Sequence, residues 1–171
     1  MSTRVQRLSC KAALAIALLP ALHATTIPRL TFEQLADGSE TIVSGRIAQT
    51  WTAWDAEHKY IWTHYLLSVS ERAKGASAST IEFAEPGGAV GASTMAIVGT
   101  VTYGVGDRVA IFLARMPNGY LRTTGWAQGK YTIDANGRLH GSAALSPTTL
   151  EGMSFAELKQ RIAARSAGRM Q

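Results

Sequence analysis

Few residues in this chain are suited to proton transfer or metal ligation. Past residue 24 it carries three histidines, His58, His64 and His140, and no cysteine. Catalysis needs titratable groups within hydrogen-bond reach of one another. His58 and His64 are six residues apart, which on one strand means the same face but a separation of about 20 Å. Asp55, Glu57 and His58 lie together in DAEH, yet no H-E-x-x-H helix and no dense ligand cluster accompanies them. A solvated turn is the simpler reading of that stretch, and no metal or other cofactor is expected. Glu82 and Glu85 are three apart, so a strand sends them to opposite faces and they do not form a glycosidase pair. G-x-S-x-G is absent, as is S-x-x-K past residue 24. An enzyme would have to be a small secreted hydrolase whose site is assembled by the fold from Asp55, His58, His64 or His140.

GWAQGKYTI, residues 125–133, superficially suggests a phosphate-gripping loop. A P-loop needs G-x-x-x-x-G-K followed by Ser or Thr, and a helix after it. Here Gly125 and Gly129 are separated by three residues, Tyr131 follows Lys130, and the pattern continues as strand. The glycines fit a sharply bent strand, where they relieve crowding at the bend. The glycine-rich stretch Pro86 to Gly99 has no lysine and reads as a strand connection.

Aromatic residues carry the remaining chemistry. Trp51, Trp54, Tyr60 and Trp62 flank one expected hairpin, with His64 close by. Flat aromatic surfaces suit a sugar ring, a peptide or a partner protein. Trp54, Tyr60, Trp62 and His64 are therefore the expected binding residues. The alternative is that the terminal helices cover them.

The elements that must position these residues are mostly strands. Ile61, Thr63, Tyr65, Leu67 and Val69 alternate with Tyr60, Trp62, His64, Leu66 and Ser68, marking a strand over 59–71. Thr41 to Trp51 and Ser79 to Glu85 read as further strands. Asp107 to Arg115 is almost wholly apolar inside and reads as a central strand covered on both faces. Met95 to Tyr103 is a weaker strand candidate, Gly119 to Asp134 a long last strand, and a short strand is expected near Leu139. Two capping boxes, Thr31 with Gln34 and Ser154 with Glu157, predict a helix at each end of the body. Beyond Arg165 the tail is expected to fray. The composite is a mainly β protein: a small antiparallel OB-like barrel of five to seven strands over 41–145, after an N-terminal segment (25–40) with a short helix and before a C-terminal helix and tail (146–171).

The first 24 residues read as a secretory signal peptide. Arg4, Arg7 and Lys11 precede the uncharged run Ala12 to Leu22, and a small residue, Ala24, stands at the expected cut. The run is too short to span a bilayer, and no later run approaches spanning length. Cleavage would remove Cys10, the one cysteine. It would also leave fourteen basic against twelve acidic residues, so the net charge falls from +5 to +2. Lys159, Arg161, Arg165 and Arg169 cluster at the C-terminus and leave the body near neutral, which argues against nucleic acid. A body of roughly 147 residues buries about two-thirds of its unfolded surface without disulfides.

Taken in order, IVSGRI, the Trp54-Asp55 turn, YIWTHYLLSVSERAKG, EPGGAVG, VGDRVAIFL and GWAQGKYTI resemble a group of uncharacterised bacterial exported proteins. That group shows V-x-G-x-V, a T-x-Y strand ending in Lys-Gly, a P-G-G turn, a G-[ED]-[RE]-V strand and a G-[LW]-A-Q-G-K-[FY] strand. The resemblance spans roughly residues 42–133 and lacks the group's proline before Tyr103. It implies a β-barrel and a periplasmic or secreted location, and brings no activity. The layout is also similar to netrin-like modules, secreted OB-type barrels that rely on cysteines absent here, so no inhibitory residue carries over. The expected function is an exported, non-catalytic binding module for a protein or polymer partner in the cell envelope.

Overall fold

A computed structural model describes residues 28–142 and 145–168. The expected signal peptide lies outside the described residues. The helix α1 (Phe32–Asp37) starts at the Thr31 capping box, with Gln34 N–H donating to the Thr31 hydroxyl and Thr31 N–H to the Gln34 side chain. Nine strands follow: β1 (Thr41–Trp54), β2 (Ile61–Lys74), β3 (Thr80–Pro86), β4 (Gly88–Val90), β5 (Ser93–Met95), β6 (Arg108–Arg115), β7 (Leu121–Thr123), β8 (Lys130–Ile133) and β9 (Leu139–His140). The chain ends in α2 (Phe155–Gly168), opened by the second capping box: Ser154 N–H donates to Glu157 and Glu157 N–H to Ser154 Oγ. The helix continues three residues past Arg165, where fraying was expected.

The main sheet is antiparallel throughout and runs β3-β2-β1-β6-β8-β9, with β7 also on β6. The mainly β class and both terminal helices match the sequence. The closed barrel does not: β3 pairs only with β2, and no ladder joins it to β7. Instead the sheet curls, and its seam is bridged by side chains. Glu85 of β3 is fully buried and accepts from Thr123 N–H (2.8 Å) and Arg122 Nε (3.1 Å) of β7. A carboxylate has stood in for main-chain pairing at that edge.

Two cores result. Val43, Ile47, Tyr65, Leu67, Phe83, Val109, Ile111 and Leu113 fill the concave side, joined by Val101 and Tyr103. Ile42, Ala110, Phe112, Tyr131 and Leu139 face the helices, which contribute Phe32, Leu35, Phe155, Leu158 and Ile162. The central strand β6 is thus covered on both faces, as its apolar run indicates. The ion pair between Arg165 and Asp37 joins the two helices.

Two strand expectations need correction. Residues 96–103 are not a strand. After β5 the chain turns, with Thr100 N–H donating to Ile97 O and Gly99 at φ +83°, and Val98 projects into solvent. Local β-propensity did not suffice without a neighbouring strand to pair with. The long strand over 119–134 is interrupted: β7 and β8 pair with successive stretches of β6, separated by a 3₁₀ turn at Trp126–Gly129. Gly125 (φ +64°) makes the corner, and Trp126 shares its left-handed backbone.

Each residue of GWAQGK has a structural task. The Arg122 guanidinium lies 4.0 Å from the centre of the Trp126 ring. Gln128 is fully buried and clamps the N-terminal segment, accepting from Leu30 N–H (2.6 Å) and donating to Pro28 O (3.0 Å). A Cβ on Gly129 would lie 2.5 Å from Thr124 O, so only glycine fits. Lys130 donates to Thr102 O and sits over the Tyr103 ring. The motif is a clamp built on a kinked strand.

Candidate functional site

The β1–β2 hairpin is the longest feature of the fold, with fourteen residues in each strand. Its two ends differ. β6 pairs with β1 only over Thr41–Arg46, and Ile47 makes the last main-chain contacts there, with Gly106 and Asp107. From residue 48 to Trp54, β1 pairs only with β2.

An irregularity at Ala48 decides which way the tryptophans face. In the β1–β2 register Ile47 opposes Leu67 and Gln49 opposes Leu66, so Ala48 is an extra residue. Strict alternation from Val43, Gly45 and Ile47 would carry Trp51 to the concave side. The bulge shifts the phase by one, and Trp51 lands opposite His64 on the outer face. Their rings stack, with centroids 5.2 Å apart and planes 9° apart.

His64 belongs to a cluster. Tyr120, from the β6–β7 turn, meets Trp62 edge-on at 5.2 Å and His64 at 5.3 Å. His64 Nδ1 lies 3.0 Å from Glu82 Oε1. His64 lies on the outer face, as alternation indicates, yet it is only 6% exposed. The terminal helices do not provide this cover, as they pack farther along the sheet over Ile42, Ala110 and Phe112. The cover is Trp51 on one side and Tyr120 on the other. Trp51 stays 39% exposed and Tyr60, near the hairpin tip, 44%. Trp54 stacks on His58 at 6.3 Å. Asp55 Oδ1 holds the tip by accepting from Lys59 and Tyr60 N–H, and His58 takes φ +53°.

Of the four expected binding residues, Trp62 and His64 share one cluster, while Trp54 and Tyr60 sit at the tip. Trp51 and Tyr120 complete the cluster. Trp51 was visible only as a flanking aromatic, because its facing depends on the bulge. Tyr120 gave no signal beyond its place after the Pro117-Asn118-Gly119 turn.

The three histidines lie in separate parts of the sheet. His58 is in the hairpin loop, His64 in mid-β2, and His140 on β9. The strands β1, β6 and β8 intervene between β2 and β9, which at about 4.8 Å per strand separates them by roughly 19 Å. His140 has its own partners, Glu151 Oε1 at 2.7 Å and Asp134 Oδ2 at 3.1 Å. Hydrogen bonds to Glu151 and then Asp134 raise its pKa above the usual histidine value, and both acids are lowered. Among the described residues no three His, Cys, Asp or Glu side chains are grouped to hold a metal ion.

Comparison with known proteins adds no identity. No family model, no curated protein sequence and no solved structure matches this chain. The reading of the site therefore rests on its geometry.

The open edge of β1 is the most unusual part of that geometry. Asp55 N–H donates to Tyr60 O, which makes 55/60 a hydrogen-bonded pair. Alternation along the antiparallel register then turns the N–H and C=O of Thr50, Thr52 and Trp54 away from β2. The edge sequence AQTWTAW has no charge and no proline. Natural edge strands are commonly blunted by lysine, proline, an inward charge or a bulge, and of these this edge has only the bulge at Ala48.

Proposed function

We propose that this chain is an exported, non-catalytic binding module that captures a protein partner on the β1–β2 hairpin. An extended segment of the partner adds as a strand beside residues 50–54 and packs on Trp51. Main-chain hydrogen bonds from Thr50, Thr52 and Trp54 supply affinity, and the aromatic cluster supplies selectivity. The observation that carries this reading is an uncharged, unpaired strand edge beside a half-exposed tryptophan. Trp51 is well supported for that role, since His64, Tyr120 and Trp62 fix the cluster in one geometry. Tyr60 and Trp54 extend the surface to the hairpin tip. The signal-like first 24 residues, the cysteine-free body and the resemblance to bacterial exported proteins favour a periplasmic or secreted location and an envelope partner. Asp55 and His58 share the hairpin tip while His64 and His140 lie elsewhere in the sheet, so the binding reading has more support than a hydrolase assembled from all four.

The test is capture from an envelope extract on immobilised processed chain, with bound proteins identified by mass spectrometry and then purified for direct binding. Trp51→Ala and Thr50→Pro are each expected to weaken that purified interaction at least tenfold while leaving the fold intact. Unchanged affinity in both variants would reject the hairpin as the site.

A further inference from the structure

A second cavity lies where the helix α2 meets the sheet, at the end of the β1–β2 hairpin away from its tip. Arg46 of β1 and Arg108 of β6 are directly opposed across the strands. Like charges placed so are mutually destabilising, with Cβ atoms roughly 5 Å apart. Neither has a carboxylate partner among the described residues; each donates one N–H to a carbonyl, Arg46 to Gly106 O (2.6 Å) and Arg108 to Asp134 O (3.0 Å). The remaining guanidinium donors are uncommitted.

Both arginines line a cavity of about 320 Å³ whose far wall is the start of α2. Ser44 also lines it. That residue is only 3% exposed, and its hydroxyl has no hydrogen-bond partner among the described residues. Its Oγ opens onto the cavity, where a ligand oxygen or water can complete it. On the α2 side, Ser154 and Glu157 cap each other, and Arg138 neutralises Glu157 at 3.2 Å. The N–H groups of Phe155 and Ala156, the first two residues of the helix, have no carbonyl within it to receive them.

The geometry points to a phosphate-binding site at this cavity, for a free phosphate or a small phosphate monoester. Three kinds of donor line it: two guanidinium forks, one cavity-facing hydroxyl and two helix N-terminal amides. A planar carboxylate is saturated by the forks alone, whereas a tetrahedral oxyanion uses all three. Glu71, the one carboxylate lining the cavity, stands opposite Ser44 across β1 and β2 and can accept from a hydroxyl on the organic part of a monoester. The volume exceeds that of bare phosphate and falls at the low end for small-molecule sites.

The experiment is titration of the processed chain with inorganic phosphate, glycerol phosphate and acetate, followed by amide NMR at constant ionic strength. Saturable shifts are expected at Ser44, Phe155 and Ala156 with either phosphate and not with acetate. Glycerol phosphate binding at least tenfold more tightly identifies a monoester as the ligand class, and equal affinities identify the free ion. Arg108→Gln should weaken binding at least tenfold and Ser44→Ala about threefold. Arg108 is exposed, so its replacement leaves the fold intact, which the dispersion of the same spectra verifies. Absence of saturation, equal response to acetate, or unaltered affinity in both variants would overturn the assignment.

Discussion

Among the places where a strand of the curled sheet lacks a neighbour, two are treated in opposite ways. At the seam between β3 and β7, Glu85 reaches across to Thr123 N–H and Arg122, out of contact with water. Along residues 48–54 β1 has no main-chain partner besides β2, its one side-chain bond being from the Thr52 hydroxyl to Ala89 O of β4, and the residues there are uncharged and largely exposed. A protein that can seal one edge with a buried carboxylate has the means to seal another. The seam is architecture, and on the function proposed above the β1 edge is the surface a partner would use.

Breaking the seam should have the largest effect. Burial raises the Glu85 pKa in spite of its bonds to Thr123 and Arg122, so the ionised pair is held at a cost in desolvation. Glu85→Ala leaves Arg122 largely buried without a counter-ion and is expected to lose about 3–5 kcal/mol in urea denaturation. Replacing Glu85 and Arg122 together with leucine should recover part of that loss, the unpaired Thr123 N–H retaining the rest. If the single and double variants are equally unstable, the seam is held by something other than this pair.

Removing the bulge is the next largest change. Deletion of Ala48 takes out the extra residue and leaves Gln49 opposite Leu66 and Trp51 opposite His64. A loss of about 2 kcal/mol is expected, with the tryptophan emission of the Trp51–His64 stack retained. A changed emission would show that Ala48 is not the residue that sets the strand phase.

Proline at Thr50 should do little to stability, about 1 kcal/mol, because its N–H points away from β2 and proline is tolerated on such edges. Thermal melts of this variant beside Glu85→Ala contrast the two edges directly. A loss as large as that of the seam variant would mean that the β1 edge is structural after all.

The smallest effect concerns pH. His140 titrates higher in the folded chain than its ordinary value of 6.5, while Asp134 and Glu151 titrate lower than 3.8 and 4.5. The histidine's contribution is complete below about pH 6.5 and is lost as pH rises through its folded value. The acids' contributions are complete above about pH 4.5 and fade on acidification through their folded values. The β9 region should therefore be most stable between about pH 4.5 and 6.5. A His140→Gln variant should lack the loss on the alkaline side. Identical pH profiles for the two chains would contradict the bonds to Glu151 and Asp134.

These contrasts also explain what the sequence could and could not disclose. Period-two alternation exposed β2 and its buried side, the apolar run exposed β6, and both capping boxes placed their helices, because those signals are local. The facing of Trp51 was hidden, since one inserted residue inverts a pattern whose period is two. The seam was hidden too: Glu85 looked like an ordinary acid on an alternating strand, and its partners lie 37 and 38 residues away in sequence. The strand candidate at 95–103 failed because pairing, not propensity, makes a strand. His140, read as one member of a scattered set, proved to have two acids of its own.

The most direct test of the open edge is residue-resolved amide hydrogen exchange on the chain alone and with its purified partner bound. The account expects Thr50, Thr52 and Trp54 to exchange rapidly in the free chain while Trp51 and Ala53 are protected, and all five to be slow in the complex. Equal protection of the five amides in the free chain, or continued rapid exchange of the first three in the complex, would contradict it.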